Sequence, residues 1–234
     1  MNKLLIANLK MNLNYEDILE YKKVIENSDI TNFIICPPNI YLDVFYSNKY
    51  ELCAQNGYHV DEGAFTGEVS FKQLKSMGVK YSLIGHSERR RIFNESNDDI
   101  RKKLESCIEN GITPILCVGE SKEGREKGIS EKIIESQIKT AIGDLELSDL
   151  IVAYEPVWAI GTGLIPTSID IMNMHSCIKK IVKDNTKNVK VIYGGSVNES
   201  NIKDICNIEG VDGVLIGDAS NNPLNIIKMY DLVK

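Results

Sequence analysis

The sequence predicts an α/β fold, a (β/α)8 barrel of eight parallel strands. Three observations predict it. Eight short apolar runs recur along the chain, and they are nearly continuous, as strands buried on both faces of a parallel sheet are. Amphipathic segments of helical period lie between them. The length, 234 residues, is close to the roughly 250 usual for such barrels.

The first run is LLIA at 4–7, followed by a helical pattern, YEDILEYKKVIE, at 15–26. FIIC at 33–36 and ELCA at 51–54 come next, with only weakly patterned helices after them. YSLI at 81–84 is the fourth run, and DDIRKKLESCIEN at 98–110 is the helix behind it. Asn110-Gly111 is its expected stop. PILCV at 114–118 is followed by EKIIESQIKTAI at 131–142, for which Ser130 is the expected N-cap, with Glu131 in the first turn. LIVAY at 150–154, VKVIY at 189–193 and GVLI at 213–216 complete the set, the helices after the last two being weakly patterned. No low-complexity linker or charge block divides the chain, so one barrel domain over 1–234 is expected. A doubly wound open sheet is the rival. No G-x-G-x-x-G follows the first run, however; that turn reads ANLKMNL.

Composition narrows the function. Hydrophobic residues make up 43% and charged residues 26%, with a net charge of −6 and pI about 5.2. That balance lacks the basic footprint of a nucleic-acid or anionic-membrane binder. An anionic ligand would have to be held by local dipoles and a few placed cations. The six cysteines (36, 53, 107, 117, 177 and 206) show no C-x-x-C pair and no metal spacing with the three histidines. Several sit in apolar runs, where a thiol acts as a small hydrophobe. Residues 1–10 are too short and polar for a signal peptide, and no run approaches transmembrane length. A cytoplasmic protein is expected, with no metal, cofactor, nucleic acid or membrane partner.

In such barrels the loops at the C-terminal strand ends build the active site. Asn8 and Lys10 follow the first strand, and Gly85, His86, Ser87 and Glu88 follow the fourth. Glu155 ends the sixth, Gly194-Gly195-Ser196 the seventh, and Gly217 the eighth. Taken singly, each has an ordinary reading: a helix cap, a solvated surface charge, a turn. Together they point at one rim. A carboxylate there, after IVAY and before Pro156, is costly to desolvate unless something uses it. Glu155 is the candidate base, His86 the electrophile or acid, Lys10 a fixed cation, and the glycine turns a phosphate grip. That set suits proton transfer next to a carbonyl.

At these residues the chain resembles the triosephosphate isomerase family. LIGHSERR (83–90), AYEPVWAIGTG (153–163), AQN with GAFTGE (54–56 and 63–68), CPP (36–38) and YGGSV (193–197) occur in the family's order. The resemblance implies interconversion of dihydroxyacetone phosphate and D-glyceraldehyde 3-phosphate through an enediolate, in glycolysis and gluconeogenesis. Glu155 would move the proton. Neutral His86 would polarise the carbonyl, its pKa lowered by the helix beginning near Ser87. Lys10 would stabilise negative charge and Asn8 would orient the oxygens. Gly161, Ser196, Gly217 and Asp218 would hold the phosphate, and Glu88 and Cys117 would support the site. Residues 157–166 would form a water-excluding lid hinged at Pro156 and anchored by Trp158. The connection Asn56–Val69 would be a homodimer loop, carrying Thr66 to Asn8 and Lys10 of the partner subunit.

Three positions depart from the family's pattern. Leu9 stands where an aromatic residue is usual, so looser support for Lys10 is expected. Leu164-Ile165-Pro166 changes the lid's second hinge. Asp218 replaces the second of two glycines, putting a carboxylate near the phosphate position. Its side chain is expected to cap the following helix and point outward. Another phosphate-binding barrel isomerase or lyase is one rival. A Schiff-base aldolase would need a pocket-facing strand lysine, and Lys190 lies at the wrong end of the seventh strand. A non-catalytic barrel kept for binding is the rival of a different class.

Overall fold

The structure, a computed structural model, describes residues 3–160 and 164–234. Eight strands close a barrel in chain order. They are β1 (Leu4–Asn8), β2 (Phe33–Cys36), β3 (Glu51–Ala54), β4 (Tyr81–Ile84), β5 (Thr113–Val118), β6 (Leu147–Tyr154), β7 (Thr186–Tyr193) and β8 (Gly213–Ile216). Every pairing is parallel, and Leu4 opposite Gly213 closes β1 on β8. β6 and β7 begin three residues before their apolar runs, because the ladder continues through exposed positions such as Ser148 and Asp149.

The helices are α1 (Tyr15–Glu26), α2 (Phe71–Ser76), α3 (Ser87–Ile92), α4 (Asn97–Glu109), α5 (Lys122–Glu126), α6 (Ser130–Ile142), α7 (Ser168–Val182), α8 (Ile202–Asn207) and α9 (Pro223–Val233). The weak patterns after the second, third and seventh runs have a structural counterpart. Two 3-10 turns, Asn39–Tyr41 and Asp43–Phe45, stand after β2, while α2 and α8 have six residues each. Capping boxes start α1 (Asn14 with Asp17), α4 (Ser96 with Asp99) and α7 (Thr167 with Asp170). Asn110 ends α4, and Gly111 follows at φ 65°. The expected Ser130 cap is corrected: Ser130 is the first residue of α6, and Ile129 holds the cap position without a side-chain bond. The tight turn after α5, in which Ile129 N–H donates to Gly124 O at 3.0 Å, starts the helix one residue early.

Strand parity divides the core into two layers. Ile6, Ile34, Cys53, Leu83, Ile115, Ile151, Ile192 and Leu215 meet inside the barrel. Their strand neighbours, such as Leu5, Ile35, Leu52, Leu116, Val152 and Val214, pack outward with the helices. Both faces are buried along these runs, so the strands read as unbroken apolar stretches. Counting on by twos from Ile6, Ile151, Ile192 and Leu215 reaches Asn8, Glu155, Gly194 and Gly217. The same alternation that fills the barrel therefore aims these positions at its mouth.

Candidate active site

Asn8 is buried at the end of β1, and its Oδ1 accepts the Lys10 N–H at 3.1 Å. Lys10 has φ 51°, a left-handed conformation that costs a non-glycine residue roughly 1–3 kcal/mol. Gln55 Nε2 helps to hold it by donating to Lys10 O at 3.0 Å and Cys36 O at 2.9 Å. Leu9, the departure between these residues, is fully buried in the outer core. The clamped backbone directs the Lys10 ammonium to Glu88 Oε1 at 2.9 Å and Asp218 Oδ1 at 3.4 Å. Burial lowers the Lys10 pKa, but the hydrogen bonds and charges of Glu88 and Asp218 outweigh it, and the net shift is upward. Lys10 is a cation at neutral pH.

His86 N-caps α3, its Nδ1 accepting the Glu88 N–H at 3.3 Å. A ring nitrogen that accepts from the backbone leaves the proton on Nε2. That Nε2 lies 2.9 Å from Glu155 Oε1, and Glu155 Oε2 accepts the Ser87 N–H at 2.9 Å. The expected lowering of the His86 pKa is corrected. Burial does lower it, but the Glu155 charge and hydrogen bond, then Glu88, raise it more, and the net shift is upward. The cap bond belongs to the neutral ring, so the upward shift belongs to the geometry in which Glu155 sits on His86.

Asn8, Lys10, His86, Glu155, Ser196, Gly217 and Asp218 line one cavity of about 560 Å³ at the barrel mouth. Six of these seven stand where strand ends place them. Asp218 is corrected: it opens a 3-10 turn (Asp218–Asn221), and its carboxylate turns toward Lys10 instead of outward to cap a helix. Gly161 lies outside the described residues. Cys117 fills the barrel interior, its thiol pKa pushed well up by burial and by the Glu155 charge.

The segment after Glu155 is held by groups outside the strand-end set. Trp158 is buried, its Nε1 donating to Glu120 Oε1 at 2.7 Å, and the Arg125 guanidinium lies 3.9 Å from its ring centroid. Tyr154 Oη donates to the same Glu120 oxygen at 3.1 Å. Burial raises the Glu120 pKa against these bonds. The sequence reading missed Glu120, although it follows β5 in VGES. Applying the strand-end rule to the fifth strand would have found it. Arg91, which also lines the cavity, gives no such signal, because it sits within α3.

A family model for triosephosphate isomerase matches residues 3–233. The chain belongs to the triosephosphate isomerase family. The triosephosphate isomerase of Aquifex aeolicus is 43% identical over 98% of both chains. Those of Ligilactobacillus salivarius and Thermodesulfovibrio yellowstonii are 39% and 38% identical over at least 97% of each. In this family member the connection of residues 56–69 is tied down by contacts of its own and to α4. Tyr58 N–H donates to Val69 O at 2.8 Å, Tyr58 and Phe65 rings lie 4.9 Å apart, and Lys103 Nζ donates to Asn56 Oδ1 at 2.8 Å. The buried Lys103 ammonium also meets Glu95, which pairs with Arg89. Thr66 is exposed on this loop.

Proposed function

We propose that the chain interconverts dihydroxyacetone phosphate and D-glyceraldehyde 3-phosphate, the reaction of its family, in glycolysis and gluconeogenesis. The observation that carries this reading is the meeting of Glu155 and His86 at 2.9 Å in the barrel mouth, beside the Lys10 cation. Glu155 takes the proton from the carbon next to the carbonyl, leaving an enediolate, and returns it to the neighbouring carbon. His86 Nε2–H hydrogen-bonds the carbonyl oxygen as charge develops there, and Lys10 stabilises that charge. Glu155 must leave Ser87 N–H and His86 to reach a carbon, which frees the His86 donor at the same moment. The phosphate is held by the turns at Gly194–Ser196 and Gly217–Asp218, with Gly161 added from the lid. No cofactor enters the reaction.

One barrel domain spans the chain in this reading, and two copies pair through the Thr66 loop. Phe65 on the loop, and Met11, Ile40 and Tyr46 on the connections after β1 and β2, are large apolar side chains exposed to solvent. A second copy would cover such a surface. We place the enzyme in the cytoplasm because that is where a glycolytic reaction of this family would run. Among the described residues no helix is long and apolar enough to cross a membrane. The test is proton NMR of purified protein with dihydroxyacetone phosphate in D2O. Appearance of glyceraldehyde 3-phosphate is expected. Binding without turnover would point to the non-catalytic barrel and end this reading.

A further inference from the structure

Asp218 follows Gly217 at the end of β8, and its position is built. Ser220 N–H donates to Gly217 O at 2.8 Å, and buried Ser220 Oγ donates to Asn8 O at 3.1 Å. These bonds fasten the turn after β8 to the end of β1. Lys10 is fastened on the other side, through Asn8 and Gln55. Two fixed backbones thus hold Asp218 Oδ1 at 3.4 Å from Lys10 Nζ, while Glu88 Oε1 takes another side of the same ammonium at 2.9 Å. The Asp218 side chain is 89% exposed, so its charge stands in the open mouth of the cavity.

An ammonium offers three donors, and here two carboxylates already engage it. An anion that binds at Lys10 meets the Asp218 charge 3.4 Å from the same ammonium. We propose that Asp218 is an internal competitor for Lys10, a carboxylate that engages the ammonium before the substrate does and whose charge, beside the turn that holds the phosphate, sets how tightly the site holds phosphorylated ligands. The inference rests on the reading of Lys10 as the substrate's cation. Binding of a phosphate monoester dianion requires the Asp218 carboxylate to swing away, and its exposure leaves room for that. An uncharged sugar meets no such cost. Asp218 therefore narrows the preference for phosphorylated over unphosphorylated ligands, and salt weakens its effect because the charge is exposed.

The test titrates inorganic phosphate into the full-length protein by calorimetry, comparing wild type, Asp218→Asn and Asp218→Gly. The asparagine variant keeps the backbone N–H and side-chain size, so it isolates the charge from any loosening of the turn. It should bind phosphate about 5-fold tighter at low ionic strength, the scale of one exposed ion pair. The gap should narrow at roughly 0.5 M salt, where screening is short-ranged. Asparagine-variant affinity equal to or weaker than wild type at low salt overturns the proposal. Turnover is a separate readout. If wild type fails to isomerise the triose phosphates, the proposed function falls, while the titration still decides what Asp218 does to an anion at Lys10.

Discussion

A β-carbon on Gly119 would lie 1.8 Å from the carbonyl oxygen of Glu155. Only a residue without one lets the end of β5 come this close to the end of β6. Gly119→Ala should displace the Glu155 backbone, lowering stability by about 1–3 kcal/mol and kcat more steeply than affinity. Denaturant unfolding and steady-state kinetics check this together. Glu155→Asp keeps a base but withdraws it by roughly an ångström, so kcat should fall about 100-fold. Their places just after the apolar runs made Asn8, Glu155, Gly194 and Gly217 readable from the sequence. What a strand end cannot give is the neighbour a side chain chooses. Asp218 pairs with Lys10 because barrel closure brings β8 against β1, and the His86 pKa rises because the Glu155 carboxylate after β6 rests on a ring that follows β4.

The described ends of the proposed lid show how an element is held by residues outside the proposed chemistry. Trp158 joins Glu120 and Arg125, and Pro166 is buried at the far hinge, between exposed Ile165 and the Thr167 cap of α7. Trp158→Phe removes the Nε1 donor from a buried carboxylate, a loss of about 1–3 kcal/mol. A lower Tm and an altered rate of lid exchange by relaxation dispersion are expected. Pro166→Ala frees a φ otherwise fixed near roughly −65°. It should change lid exchange and kcat together where opening limits turnover, and unchanged values of both would make the proline incidental. Long amphipathic helices such as α1, α4 and α6 were legible because their period repeats over three turns. The 3-10 turns after β2 and the six-residue α2 and α8 are too short for a period to show. The start of α6 escaped because the turn before it, and not Ser130, sets it.

Across the whole molecule, closure of eight strands was legible because unbroken apolar runs and helical patterns alternate from end to end. Acid sensitivity was not, since it depends on what each histidine touches. His175 on α7 is fully buried, with Nδ1 3.3 Å from Gly210 O, and burial pushes its pKa down to about 4. Unfolded, it would titrate near roughly 6.5. The unfolded chain therefore binds the proton first. Stability from this site is complete above about pH 6.5 and is lost as pH falls toward about 4, some 3 kcal/mol in all. His86 acts in the opposite sense: its pKa is raised, so its contribution is present below the unfolded value and is lost as pH rises through the folded one. Urea unfolding between pH 4 and 7 should show the acid-side slope, and His175→Gln should flatten it. Association belongs to this scale as well. Thr66→Arg should weaken the proposed dimer and activity together by sedimentation and assay, whereas a fully active wild-type monomer would remove the loop from the account.

The proposed function turns on one carboxylate, Glu155 at the end of β6, moving the proton. Its most direct test is the kcat of Glu155→Gln against wild type with glyceraldehyde 3-phosphate, on protein shown by circular dichroism to be folded. The amide keeps the size of the side chain and removes the base. A fall in kcat of about 1,000-fold or more is predicted, at the scale of general-base catalysis. Turnover by the glutamine variant within a few-fold of wild type would contradict the account.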